Sequence, residues 1–291
     1  MNKKSGMVSV VTAAVCYSLI PIFSILGIQH AASSPSVILF YRFLFSSLIF
    51  LGLGLSPHFN FEYHKKEMPF VFLVGTVYAL QCLLFFSAFK YVSASLGEIV
   101  YHAYLIWTLL LAHFILKDNI TMGKAIATAV SLLGLAMVIL KPVEVLRFKG
   151  IALIILTSIT NTIYLVLTKR FIERTGTFAL TAYYTFICTV VAFCAACVLS
   201  PSNLFGIPSR ETIIYAFLLA TISTVIGFFC FNYGIKTVEV GKVAILSLSE
   251  PVFTIIIAAI ILKESLSVTQ TIGTGLILLS IWLYDVKFRH G

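Results

Sequence analysis

Residues 85–121, FFSAFKYVSASLGEIVYHAYLIWTLLLAHFILKDNIT, align without a gap with residues 231–267, FNYGIKTVEVGKVAILSLSEPVFTIIIAAIILKESLS, at a constant offset of 146. In this register Phe85 meets Phe231, Lys90 meets Lys236, and Ile115-Leu116-Lys117-Asp118 meets Ile261-Leu262-Lys263-Glu264. The offset is close to half of the 291 residues, so the chain reads as two copies of one unit, residues 1–146 and residues 147–291.

Outward from this repeat, apolar runs occupy 7–27, 36–56, 69–89, 94–116, 122–140, 149–168, 178–199, 212–234, 241–262 and 268–286. A bilayer core of about 30 Å needs roughly 20 apolar residues per helical crossing. The runs have helical length. Barrel strands would be about half as long and would alternate in polarity, and an open sheet edge is not tolerated in lipid. Each copy holds five runs, an odd number, so the second copy enters the bilayer upside down. The expectation is an all-α membrane protein of ten transmembrane helices, built as two inverted five-helix repeats. Secondary transporters use that arrangement to place a solute site near the midplane between the halves.

Composition agrees. The chain is 60% hydrophobic and 11% charged, with a mean hydropathy of +1.04, whereas soluble domains average about 45–50% apolar and roughly 25% charged residues. The net charge of +9 is spread in ones to threes between apolar runs, without a basic stripe, so no nucleic-acid partner is read from it. All six cysteines lie in apolar runs, and Cys194-x-x-Cys197 is desolvated there rather than a redox pair. The first run follows Asn2-Lys3-Lys4 and precedes His30-Ala31-Ala32, as in a signal peptide, but it is longer than such an apolar core and reads as an uncleaved first helix. With a cytoplasmic N-terminus, 13 Lys and Arg fall inside and 7 outside, which places both termini in the cytoplasm of a cell or inner membrane. The loop from Lys141 to Lys149 dissents locally.

Ser247-Leu248-Ser249-Glu250-Pro251-Val252-Phe253, followed by Ile261 to Ser267, resembles the helix-nine signature of the drug/metabolite transporter superfamily in its EamA-type ten-helix branch. Tyr41-Arg42-Phe43 is a second match. The resemblance spans essentially the whole chain and implies a carrier of small organic solutes, a class that includes amino-acid and metabolite exporters. Two helices depart from it: in helix four Leu105 stands where proline is usual, with Asp118 after it in place of Glu, and in helix one Cys16-Tyr17-Ser18 stands where Trp-Gly is common.

Of the acidic residues, Glu98 and Glu250 sit inside apolar runs, where a charge costs a few kcal/mol or more and normally faces a cavity or a partner. Glu250 is near midplane, and Pro251 leaves the carbonyl of Ser247 without its helical donor. Glu250 and Pro251 are therefore read as part of a solute site, whereas Glu98, near the outer edge, is read as structural or vestibular. Tyr17, Ser18, Tyr78, Gln81, Tyr101, His102, Asn161, Tyr164 and Asn232 lie at similar depth, with Trp107 as a stacking wall. Aligning Gly6 with Gly150 sets Tyr17 opposite Asn161, and the long repeat sets Phe86 opposite Asn232, so polar positions recur on paired helices. Each of these residues alone could serve equally as interhelical glue. His102 is the natural titrating partner for Glu250. Arg42 reads first as snorkelling to headgroups and second as steering anionic solutes.

The sequence has no G-x-x-x-x-G-K-[ST], H-E-x-x-H or G-x-S-x-G motif, so neither an ATP-driven pump nor a membrane enzyme is read, and no cofactor is expected. Helix one has no acidic residue, which removes the proton-for-drug exchange of four-helix multidrug relatives. The reading is a secondary carrier of a small polar metabolite, amino-acid-like or amine, working by alternating access on the solute gradient or with a coupled proton. A channel-like or interaction protein is the alternative.

Overall fold

The computed structural model describes residues 3–31, 34–56, 66–102, 104–116, 122–139, 148–261, 263 and 268–287. Lys117 and Asp118 of the first repeat, Leu262 and residues 264–267 of the second, Ala32, and most of the Lys141 to Lys149 loop lie outside the described residues. In chain order the elements are α1 (Lys3–Tyr17), α2 (Leu19–Ala31), α3 (Pro35–Gly54), α4 (Met68–Ala88), α5 (Ala94–Tyr101), α6 (Tyr104–Leu116), α7 (Met122–Ile139), α8 (Phe148–Thr175), α9 (Thr177–Leu199) and α10 (Pro201–Phe205). They continue with α11 (Arg210–Leu218), a π-helical segment (Leu219–Ile226), α12 (Gly227–Thr237), α13 (Val240–Leu246), α14 (Ser249–Ile261) and α15 (Val268–Lys287). Among the described residues there is no strand. Among the described residues six segments are long and apolar enough to cross a bilayer: Lys4–Ile28, Pro35–Gly54, Met68–Ala88, Phe148–Ile172, Thr177–Leu199 and Arg210–Thr237. Ser249–Ile261 is a shorter apolar helix.

Local chemistry fixes the ends. Ser34 caps α3 by accepting from the Val37 amide, with Pro35 in the first turn where its missing N–H is not needed. Ser209 caps α11 in the same way, through the Thr212 amide. At the other end of that span Lys169 Nζ donates to the Ile235 carbonyl at 2.7 Å and to that of Val238 at 3.2 Å, supplying a cation to the C-terminus of α12.

The packing follows the repeat. Under the offset, α1 corresponds to α8, α3 to α9, α4 to the α11–α12 span, α5 to α13, α6 to α14, and α7 to α15. The α1–α12 contact has its counterpart in α8–α4, and α6–α13 in α14–α5, while α3 packs on α9 and α7 on α15 across the pseudo-symmetry. Two glycines show the same relation at atomic detail. A Cβ on Gly6 would run into the side chains of Thr237 and Val238, and one on Gly150 would come within 2.7 Å of Tyr91 and 2.8 Å of Val92. Tyr91 and Val92 are the repeat counterparts of Thr237 and Val238. Gly6→Ala therefore overpacks the α1–α12 contact and is expected to cost about 1–3 kcal/mol, read as a lower unfolding temperature in detergent micelles. An unchanged melting curve would show that α1 is free to move away.

Two apolar runs that read as continuous helices are broken, within one residue of matching register. The 94–116 run stops at Tyr101 and restarts at Tyr104; the 241–262 run stops at Leu246 and restarts at Ser249. In the second, Pro251 has no amide to donate and the Glu250 amide reaches back to the Ser247 carbonyl at 2.9 Å. In the first there is no proline. There His102 Nδ1 donates to the Glu98 carbonyl at 2.8 Å, competing with the backbone ladder for the acceptor four residues back. The first run also has a break, at Ser18, ahead of Pro21, and the Ser18 carbonyl accepts from Thr254 of α14.

Candidate functional site

The breaks in both helix pairs meet at a cavity between the two halves. From the first half it is lined by Tyr17, Arg42, Tyr78, Gln81, Tyr101 and Tyr104, and from the second by Asn161, Tyr164, Ser247 and Glu250. Ile20, Cys82, Phe85, Phe86 and Phe231 complete the wall. Half-helices ending at a cavity leave polar backbone facing it, and a bilayer tolerates irregular backbone only where it is buried in protein or lines such a cavity.

The wall is largely aromatic and interlocked. Tyr78 stacks on Phe228 at 4.8 Å between centroids and lies 4.8 Å from Tyr164. Tyr101 contacts Phe85 at 5.1 Å and Tyr104 at 5.2 Å, and Tyr17 meets Phe231 edge-on at 5.5 Å. Rings set at these distances hold one another, so the cavity faces are preorganised for a cation or an apolar moiety. Gln81 Nε2 donates to the Tyr101 hydroxyl at 3.3 Å, and its Oε1 is buried without a hydrogen-bond partner among the described residues.

Seven of the residues chosen from sequence line this cavity: Tyr17, Tyr78, Gln81, Tyr101, Asn161, Tyr164 and Glu250. Five do not. Asn232 is fully buried behind the wall, where its Oδ1 accepts from the Tyr164 hydroxyl at 3.1 Å and its Nδ2 donates to Thr181 at 2.9 Å. It positions Tyr164 rather than reaching the space. Ser18 donates to the Val15 carbonyl at 2.7 Å, His102 is buried beside Glu98, and Pro251 is buried in the first turn of α14. Trp107 is 39% exposed on α6, outside the cavity, so it supplies no stacking wall.

Two residues sit differently from their sequence reading. Arg42 does not snorkel: it is 1% exposed and lines the cavity. Its Nε donates to Thr224 Oγ1 at 2.8 Å, and its guanidinium lies 5.1 Å from the Phe43 ring and 5.5 Å from that of Phe86. The π-helical segment sets up this contact, since Thr224 Oγ1 itself donates to the Leu219 carbonyl five residues back. Among the described residues no carboxylate pairs with Arg42, so its guanidinium lines the cavity without a counter-charge there. Glu98 is not in a vestibule. It is 1% exposed and joins His102 and Glu250 in a buried group whose ligand atoms all lie within 4.8 Å of one another.

Tyr104 and Ser247 were missed. The repeat could have found them: Tyr104 is the counterpart of Glu250, and Ser247 that of Tyr101.

Comparison with known proteins bears on this geometry. The model of the EamA-like transporter family matches residues 4–140 and again 148–284. An uncharacterized transporter of Clostridium kluyveri is 22% identical over 286 residues, covering 95% of this chain and 91% of the relative. The S-adenosylmethionine uptake transporter of Rickettsia prowazekii is 27% identical over 199 residues, covering 64% of this chain and 65% of the relative. One crystal structure superposes with a TM-score of 0.82 over 99% of both chains at 16% identity, a likeness of fold.

Proposed function

The chain belongs to the EamA-like transporter family, and we propose that it is a secondary carrier that moves a small zwitterionic or cationic metabolite by alternating access. The observation that carries this reading is the placing, on one aromatic-walled cavity, of a buried guanidinium, Arg42, that has no carboxylate partner among the described residues, with the carboxyl group of Glu250. An amino-acid-like solute presents the complementary pair of charges, and the tyrosine faces favour an ammonium or sulfonium group. The uptake transporter of Rickettsia prowazekii acts on such a molecule, an amino-acid sulfonium.

In this reading the ten apolar runs are ten crossings, residues 1–146 and 147–291 are inverted five-helix repeats, and both termini face the cytoplasm across a cell membrane. The symmetric packing of the two halves supports the inversion, and the 13 to 7 distribution of Lys and Arg supports the orientation. Tyr17, Tyr78, Gln81, Tyr101, Asn161, Tyr164 and Glu250 touch the solute, and Asn232 holds Tyr164. The halves rock about the cavity, driven by the solute gradient with or without a coupled proton.

Reconstituted into liposomes, the protein is expected to show saturable counterflow of labelled S-adenosylmethionine or of one member of an amino-acid panel. An imposed pH gradient separates coupled from uncoupled transport. Unsaturable flux with conductance would instead identify a channel and remove the carrier reading.

A further inference from the structure

We infer that Glu98, His102 and Glu250 form a binding site for one divalent transition-metal ion beside the solute cavity. The three side chains come from the two helix breaks, Glu98 and His102 at the end of α5 and Glu250 at the start of α14. They are 1%, 0% and 7% exposed, and their ligand atoms lie within 4.8 Å of one another.

Neither carboxylate oxygen of Glu98 nor Nε2 of His102 accepts from a donor among the described residues; the Glu98 carboxyl faces that of Glu250, another acceptor, and the His102 ring also lies against the Ser247 carbonyl. Buried polar atoms in native proteins are nearly always satisfied, so buried acceptors that face one another call for a cation or for protons between them. His102 Nδ1 faces the Glu98 backbone carbonyl at 2.8 Å, and a carbonyl can only accept, so Nδ1 carries the hydrogen and Nε2 keeps its lone pair. A ring oriented by an N–H to a backbone carbonyl is the usual support of a metal-binding histidine. The only ion-pair contact of Glu98 among the described residues is with His102 Nδ1, at 3.5 Å.

Charge decides the ligand class. One proton shared between the two carboxyls leaves one negative charge, and a second proton is needed to neutralise the group. A divalent ion neutralises both carboxylates and takes the nitrogen as well. Two carboxylates with an imidazole suit manganese, cobalt, iron or zinc, whereas sodium, magnesium and calcium prefer oxygen alone. With the ion in place the group is electrically neutral, so the metal and a cationic solute at Glu250 exclude one another. The site itself is independent of what is carried.

The test is a titration of the purified, chelator-stripped full-length protein in detergent with cobalt(II) chloride, followed by the visible ligand-field absorption of cobalt. One ion per chain is expected, with a rise in unfolding temperature. Glu98→Gln and His102→Ala are each expected to weaken uptake at least tenfold and to abolish the thermal shift, while His113→Ala on α6 leaves both unchanged. Glu98→Gln keeps the shape of the side chain, so its elution volume and melting curve check that the fold survives. Absence of stoichiometric uptake by a folded wild-type protein would overturn the proposal. So would uptake that persists undiminished in folded Glu98→Gln and His102→Ala, because the ion would then sit elsewhere.

Discussion

Glu250→Gln is expected to lower uptake of a cationic or zwitterionic solute at least a hundredfold in metal-free proteoliposomes, with the protein still folded. Glu250 is 7% exposed at the cavity wall, where water cannot replace a lost partner. Leaving a desolvated cation without its counter-charge costs about 3–5 kcal/mol, and each 1.4 kcal/mol is about tenfold in affinity. The glutamine retains the volume and a carbonyl oxygen, and it removes a charge from a crowded acidic pair, so the helices have no reason to separate. Kinetics discriminate a binding role from a structural one: a neutral solute of similar size should be handled equally by both proteins. Loss of both solutes together, with a lowered melting temperature, would make Glu250 a packing residue.

The parts of this molecule that were legible in its sequence are those that periodicity and length alone determine. Helix α3 covers 35–54 against an apolar run at 36–56, α9 covers 177–199 against 178–199, and α15 covers 268–287 against 268–286. Twenty apolar residues have one way to satisfy their backbone in lipid. The repeat was legible because a gapless offset survives divergence of most side chains. The break in the second copy had a local cause in Pro251.

What stayed hidden depends on neighbours. The break before Tyr104 has no proline, because Leu105 fills that position, and it is made by a histidine turned onto a backbone carbonyl. Depth along a helix does not give azimuth. Arg42 and Trp107 were placed by distance from a helix end, and the packing of α3 against α9 and the π-helical segment turned Arg42 inward, while Trp107 faces outward. One helix alone does not show the neighbour of Glu98; only the approach of α14 to α5 brings Glu250 to it.

Arg42→Gln should separate the two ends of the solute. The guanidinium is held from one side, by Thr224 Oγ1 and the rings of Phe43 and Phe86, and no carboxylate among the described residues takes its remaining donors. If those donors bind a solute carboxylate, their loss removes charge-assisted bonds worth about 1.5–3 kcal/mol, a rise of roughly ten- to a hundredfold in KM. The matched amine lacking the carboxylate should be transported with an unchanged KM, since its ammonium still meets Glu250 and the tyrosines. Arg42→Lys should rescue only in part, because an ammonium cannot span Thr224 and both rings while presenting a planar pair of donors. Stability should change little, because the substitution trades lost ring contacts for the relief of burying a charge. If amine and zwitterion lose affinity equally, Arg42 serves only to lock α3 against the π-helical segment, and the solute has no anionic end to recognise.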